Sequence, residues 1–126
     1  ADNVTLFRVE EMHLIAAETS LRAGNTADAL TYLNNIPAIR GLGANYYASA
    51  TLENILLERR KEFAFEGLRF HDLSRMGMDM PLIDPFKQLN DDLTGTPPTF
   101  GSYRYAYPIA LSERNANPNM VQNYGY

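Results

Sequence analysis

The sequence contains no cysteine and no tryptophan, and it has no long uninterrupted apolar run. Without cysteine, the chain cannot form disulfides, thiolate zinc sites or a cysteine nucleophile. No window approaches the roughly 18 apolar residues that a membrane-spanning helix requires. These absences exclude several kinds of cross-link, catalytic site and membrane segment within these residues.

Positive charge is also scarce. The 126 residues carry 11 Lys and Arg against 15 Asp and Glu, a formal net charge of -4. Nucleic acids and anionic membrane surfaces are bound through clustered Lys and Arg, so we expect neither as a partner. Hydrophobic residues make up 45% of the chain, which is enough for the core of about one globular domain.

The usual motifs of catalysis are missing as well. No serine stands in a Gly-x-Ser-x-Gly frame, and no glycine-rich phosphate loop is present. The only histidines are His13 and His71, and a metal centre needs several ligands at suitable spacing. We therefore expect no catalytic residues, no metal and no cofactor, and predict that the chain is not an enzyme.

The first half of the chain has the apolar spacing of helices. A first helix is predicted to bury one stripe, with Leu14 and Leu21 widening it: Val9, Met12, Ile15 and Ala16. Gly24 suits a left-handed helix end, and Asn25 suits the cap of a second helix. That helix is predicted to end near Pro37 and to bury its own stripe, formed by Ala29, Leu30, Leu33 and Ile36.

A third helix is predicted from a cap at Thr51 to about Glu66, followed by a break at Gly67 and a further short helix to Met76. Pro81, Pro85, Pro97 and Pro98 then forbid long helices. We assign residues 1–126 to a single domain, helical over residues 5–77 and loop-rich over residues 78–126.

Residues 8–36 resemble one tetratricopeptide unit, with Gly24, Ala29 and Leu33 at the turn, small-contact and large-packing positions. A single unit of this kind cannot bury its own face and has to stack on other helices. The predicted fold class is mainly α, with tetratricopeptide-like helical hairpins followed by a loop-rich C-terminal segment.

Three carboxylates, Glu58, Glu62 and Glu66, stand four residues apart on the third helix, where like charges repel. One interpretation is an acid/base pair like that of a glycosidase. The other is a structural ion-pair network that ties the helix to its surroundings. We favour the network, and its predicted members are Glu58, Glu62, Glu66, Arg40, Arg69 and Arg75.

Tyrosine is the abundant aromatic residue, with eight copies. Tyr46 and Tyr47 fall in a predicted loop and are expected to be exposed. The tyrosines at 103, 105 and 107 alternate, which would place them on one side of a strand. Such rings suit carbohydrate, but they equally suit packing under a loop. The candidate ligand-binding residues are Tyr46, Tyr47, Tyr103 and Tyr105.

Two stretches resemble a known family. Residues 58–73 read ERRKEFAFEGLRFHDL, and the chain closes with YPI at 107–109, NPN at 117–119 and QNYGY at 122–126. Both resemble the SusD/RagB family of nutrient-binding proteins, whose C-terminal portion this chain would form. Phe70 stands where tryptophan is common in that family, and Leu68 where a polar residue is common.

The resemblance implies a SusD-like, mainly helical fold and non-catalytic binding of an oligosaccharide or other nutrient. It further implies a SusC-like TonB-dependent transporter as partner, at the outer membrane and cell surface. Contact with the membrane would run only through a lipid anchor in an upstream part of the parent protein. The alternative function is a tetratricopeptide-like protein-protein interaction scaffold without sugar binding.

Overall fold

The computed structural model describes residues 7–81 and 97–126, and all regular structure within these ranges is helical. The predicted mainly α class is therefore confirmed. Contacts divide the chain into two compact units, residues 1–69 and 70–126. The assignment of residues 1–126 to one domain stays a prediction, and parts of it, residues 1–6 and 82–96, lie outside the described residues.

The helices are α1 (Val9–Arg22), α2 (Thr26–Ile39), α3 (Leu52–Glu62), α4 (Leu68–Arg75), a 3-10 helix (Tyr103–Tyr105) and α5 (Leu111–Ala116).

The turn between α1 and α2 follows the local prediction. Gly24 has a φ of 83°, in the left-handed region that glycine adopts without a steric penalty. The Asn25 side chain caps α2 by accepting a hydrogen bond of 3.3 Å from the backbone N of Asp28. Both cap predictions are confirmed, and α1 and α2 form a helical hairpin.

The buried face of α1 differs from the predicted one. Leu14 and Ala17 are fully buried, whereas Val9 is 69% exposed and Met12 and Ile15 are exposed too. Apolar residues occupy two faces of α1, and periodicity alone does not tell which face packs. The small side chain of Ala17 lets α1 approach its neighbours, and the core cluster contains Leu14, Ala17, Leu33, Ile36, Tyr47, Ile55 and Phe63.

On α2, Ala29, Leu33 and Ile36 are fully buried, as predicted. Pro37 does not end the helix, because α2 continues to Ile39 with Pro37 buried inside it. Proline lacks the backbone N–H that would donate to the carbonyl of Leu33, so the helix continues here without that one bond. The last turn closes through Arg40 N to Ile36 O at 3.1 Å and Leu42 N to Pro37 O at 2.9 Å.

Helix α3 begins as predicted, since Thr51 Oγ1 accepts a hydrogen bond of 3.1 Å from the backbone N of Asn54. It ends at Glu62 instead of Glu66. Phe65 and Gly67 have φ values of 68° and 80°, and these left-handed conformations interrupt the helical path. Phe63, just past the end of α3, turns into the core and is buried.

In the second unit, side chains hold the extended C-terminal chain. The Gln122 amide accepts a hydrogen bond from Ile109 N at 2.9 Å and donates one to Ile109 O at 3.1 Å. Asn123 Nδ2 donates to Tyr107 O at 2.8 Å. The short helix α5 lies between these two groups of contacts. Within residues 7–81 and 97–126, no helix has the length and apolar character needed to cross a bilayer.

Gly67→Ala is expected to lower the free energy of unfolding by about 1 kcal/mol, because alanine resists a positive φ. No atom lies within 4 Å of the position a Cβ would take, so the cost comes from backbone conformation alone. Asparagine tolerates this region better, and Gly67→Asn is therefore the matched control that should lose less. Urea denaturation measures both variants, and an alanine variant as stable as the original would contradict the expectation.

Candidate functional site

Of the two tyrosines that precede α3, one lies at the surface and the other in the core. Tyr46 is 46% exposed, but Tyr47 is only 8% exposed, so the prediction that both are exposed is wrong for Tyr47. The reason is a backbone clamp: Asn34 Oδ1 accepts from Tyr47 N at 2.8 Å, and Asn34 Nδ2 donates to Tyr47 O at 3.0 Å. This clamp directs the Tyr47 ring into the core between α2 and α3.

The Tyr47 hydroxyl is satisfied by two charged residues of α3. It donates to Glu58 Oε2 at 2.7 Å and accepts from Lys61 Nζ at 3.0 Å. Burial, followed by the hydrogen bond to Glu58, raises the pKa of Tyr47. The hydrogen bond to Tyr47 raises the pKa of Lys61. Lys61 Nζ also lies 5.0 Å from the ring centroid of Tyr46, so this ammonium faces both tyrosines.

Glu62 lies at the centre of a second charged cluster. Arg40 Nε donates to its Oε2 at 3.0 Å, and Arg8 and Arg40 both bond to its Oε1. Arg8 also bonds to Glu66, and Arg40 Nη2 lies 3.2 Å from Glu10 Oε1. The hydrogen bond from Arg40 is the largest cause of a lowered pKa at Glu62. Glu62 therefore stays ionised, as an ion-pair partner does.

The glycosidase interpretation needs the opposite property. A general acid of that kind has a raised carboxyl pKa, whereas the pKa of Glu62 is lowered. Glu58 is engaged with the Tyr47 hydroxyl. Both carboxylates are therefore engaged by neighbouring side chains.

The structure brings only some of the predicted network residues together. Arg40 pairs with Glu62, while Arg75 pairs with Asp72 in the second unit, Nη2 to Oδ1 at 2.9 Å. Arg69 Nε is buried without a hydrogen-bond partner among the described residues. Arg8 was not predicted, because its sequence separation from α3 leaves no local pattern to reveal the contact. Among the described residues, no group of three or more His, Cys, Asp or Glu could hold a metal ion.

The alternating tyrosines do not form a strand. Residues 103–105 form a 3-10 turn, closed by Tyr105 N to Ser102 O and Ala106 N to Tyr103 O, both at 3.0 Å. The strand prediction is wrong because this short turn satisfies its own backbone groups. Tyr105 stacks on Phe70 at 5.7 Å between ring centroids, and Tyr103 meets Tyr126 edge-on at 5.2 Å.

Two cavities open beside this turn, within the second unit. The smaller has a volume of about 270 Å³ and is lined by Phe70, Met80, Arg104, Tyr105, Ala106, Tyr107 and Tyr126. The larger has a volume of about 510 Å³ and is lined by Gly101, Ser102, Tyr103, Ala106, Asn123 and Tyr124. Sequence reasoning proposed Tyr103 and Tyr105 as ligand contacts and noted their alternation with Tyr107. It did not connect them with Phe70, Tyr124 or Tyr126, because these residues are distant in sequence or were not weighed as ligand contacts.

The profile of the SusD family matches residues 1–126. The chain belongs to the SusD family. The resemblance found in the sequence is thereby confirmed. Among curated relatives, the starch-binding protein SusD of Bacteroides thetaiotaomicron is 33% identical over 124 residues, which is 98% of this chain and 22% of that protein. The SusD-like protein P38 of Formosa agariphila is 28% identical over 135 residues.

Two solved structures share the fold of this chain over the matched region. A Bacteroides vulgatus protein provisionally named as a sugar-binding protein matches with a TM-score of 0.74 and 36% identity, covering 96% of this chain and 28% of that one. A SusD superfamily protein of the same organism matches with a TM-score of 0.71 and 31% identity. The chain thus spans about a quarter of the length of the SusD proteins that it matches.

Tyr47→Phe is expected to destabilise the first unit, because it removes the hydroxyl between Glu58 and Lys61 and leaves the buried carboxylate with one partner fewer. A loss of about 1–2 kcal/mol in the free energy of unfolding is expected. Tyr46→Phe is the matched control, since Tyr46 is half exposed, and it should change stability little. Equal stability of both variants in urea denaturation would show that the buried hydroxyl is not a stabilising group.

Glu62 should make stability depend on acid pH. Its folded pKa lies below the ordinary value of 4.5, so its contribution is present above that value and is lost as the pH falls through the folded pKa. Glu62→Gln should cost about 1–3 kcal/mol at neutral pH and flatten the acid limb of the stability curve. The matched control is Glu53→Gln, at an exposed position of the same helix. Urea denaturation from pH 3 to pH 7 checks this, and an unchanged acid limb would contradict it.

Proposed function

We propose that this chain binds glycan without catalysis, as the C-terminal part of a nutrient-uptake protein. The observation that carries the proposal is the alignment of 98% of the chain with a SusD-family relative named for starch binding. The aromatic rings around the cavities of the second unit support it, because sugar rings present apolar faces that stack on aromatic side chains.

A non-catalytic role is supported by the carboxylates. Glu58 is committed to the Tyr47 hydroxyl, and Glu62 is held ionised by Arg8 and Arg40. Hydrolysis of a glycosidic bond requires one carboxyl to donate a proton, and these two groups serve folding instead. The candidate ligand contacts are Tyr46, Tyr103 and Tyr105, whereas Tyr47 is assigned to packing.

The proposed partner is a SusC-like TonB-dependent transporter in the outer membrane. In this arrangement the protein captures oligosaccharide or another nutrient at the cell surface and delivers it to the transporter. A lipid anchor in an upstream part of the parent protein would hold it there. This part of the proposal rests on membership of the SusD family.

A glycan array incubated with the labelled 126-residue chain tests the proposal. Retention on neutral oligosaccharides is expected, with no release of reducing ends when the chain is incubated with the same glycans in solution. A heat-unfolded sample labelled in the same way controls for non-specific adhesion. If no glycan retains the chain, the binding function is wrong for these residues. If the original chain releases reducing ends and Glu62→Gln does not, the chain is instead an enzyme.

A second candidate function, the protein-interaction scaffold, is favoured by the apolar residues exposed on α1. Val9, Met12 and Ile15 form a stripe at helical spacing on the surface of the hairpin. A chain that binds no glycan, but whose α1 surface is protected from hydrogen exchange by the transporter, would match this function.

A further inference from the structure

We infer that the two cavities beside the 3-10 turn are adjacent subsites of one binding groove for a neutral oligosaccharide. The inference rests on the proposed glycan-binding function and deepens it by locating the site in the second unit. Ala106 lines both cavities, so they share a wall. Tyr103 lines one and Tyr126 lines the other, and these two rings are in edge-on contact.

The walls of the groove are held before any ligand binds. The Tyr105 hydroxyl donates to Met78 O, and the Tyr126 hydroxyl donates to Ala106 O at 2.8 Å. Each ring is therefore tied at both ends, and Phe70 stacks on Tyr105. A rigid aromatic wall loses little conformational entropy when a sugar ring stacks on it.

Two further tyrosines are open to solvent at the cavities. Tyr107 is 82% exposed on the smaller cavity, and Tyr124 is 93% exposed on the larger. Exposed rings offer apolar faces on which a ligand can stack. Each cavity thus combines fixed rings with one open ring, an arrangement that suits the apolar face of a pyranose.

The polar groups favour a neutral ligand. Among the described residues, neither lining contains Asp or Glu, and the charged residue that lines the smaller cavity, Arg104, is already engaged within the protein. Asn123 uses its Nδ2 on Tyr107 O, and no group among the described residues donates to its Oδ1. Asn123 lines the larger cavity, and an amide oxygen can accept a hydrogen bond from a sugar hydroxyl.

The volumes favour more than one sugar unit. A cavity of about 270 Å³ lies just below the range for a drug-sized ligand, so it holds about one ring. The second cavity, of about 510 Å³, adds space for the next units across Ala106. Affinity should therefore increase with chain length from glucose to maltoheptaose.

Calorimetric titration of the 126-residue chain with glucose, maltotriose, maltoheptaose, xylohexaose and laminarihexaose tests the groove. Tyr107→Ala and Tyr124→Ala should each weaken binding of the hexa- or heptasaccharide by about tenfold, the effect of losing one aromatic contact. Tyr32→Ala, at an exposed ring on α2, is the matched control and should bind as the original does. In nuclear magnetic resonance spectra of the original chain, the largest ligand-induced shifts should fall at residues 101–107 and 123–126.

Each outcome of the titration and of the shift measurement either supports or overturns the proposed groove. Tenfold losses in the two variants, with shifts at those residues, support the groove. If the chain binds glycan but both variants bind equally well and the shifts fall elsewhere, the groove is wrong while the glycan-binding function stands. Equal affinity for glucose and maltoheptaose would overturn the paired subsites. Absence of binding to every glycan, in solution and on the array, would overturn both proposals.

Discussion

The Tyr47 hydroxyl lies inside the core of the first unit, and a buried polar group of this kind is costly unless it is fully hydrogen-bonded. Helix α3 meets that requirement, and α2 holds the backbone of the same residue. Asn34 of α2 clamps the backbone of Tyr47, and Glu58 and Lys61 of α3 bind its hydroxyl. The loop between the helices is thereby fixed at one point, and the spacing of α2 and α3 follows from the reach of these side chains.

The features predicted correctly from sequence are those decided by neighbouring residues. Caps at Asn25 and Thr51 and the left-handed Gly24 depend on hydrogen bonds and φ values within a few positions. The early end of α3 was missed because Phe65 adopts a positive φ, which is rare for a bulky residue and cannot be expected from composition. The apolar residues on two faces of α1 likewise left the choice of buried face to tertiary packing.

The candidate site was predicted only in part, since its geometry depends on contacts between distant residues. The Tyr105 ring contacts Phe70, which lies 35 residues earlier in the sequence (105 − 70 = 35). The Tyr103 ring contacts Tyr126, which lies 23 residues later (126 − 103 = 23). Alternation of tyrosines suggested a strand, but a strand needs a neighbouring strand to receive its hydrogen bonds. The turn at residues 103–105 needs none, because its bonds are local. Composition left ligand binding and packing both open for the tyrosines, whereas the arrangement of the rings depends on the tertiary fold.

The last residues of the chain hold the second unit together through hydrogen bonds from their side chains. Gln122 and Asn123 grip the backbone at Ile109 and Tyr107, and Tyr126 binds the carbonyl of Ala106. A fusion partner or surface linker attached after Tyr126 would pull on these bonds and crowd the neighbouring rings. Immobilisation and fluorescent labelling should therefore use positions that leave residues 122–126 unmodified.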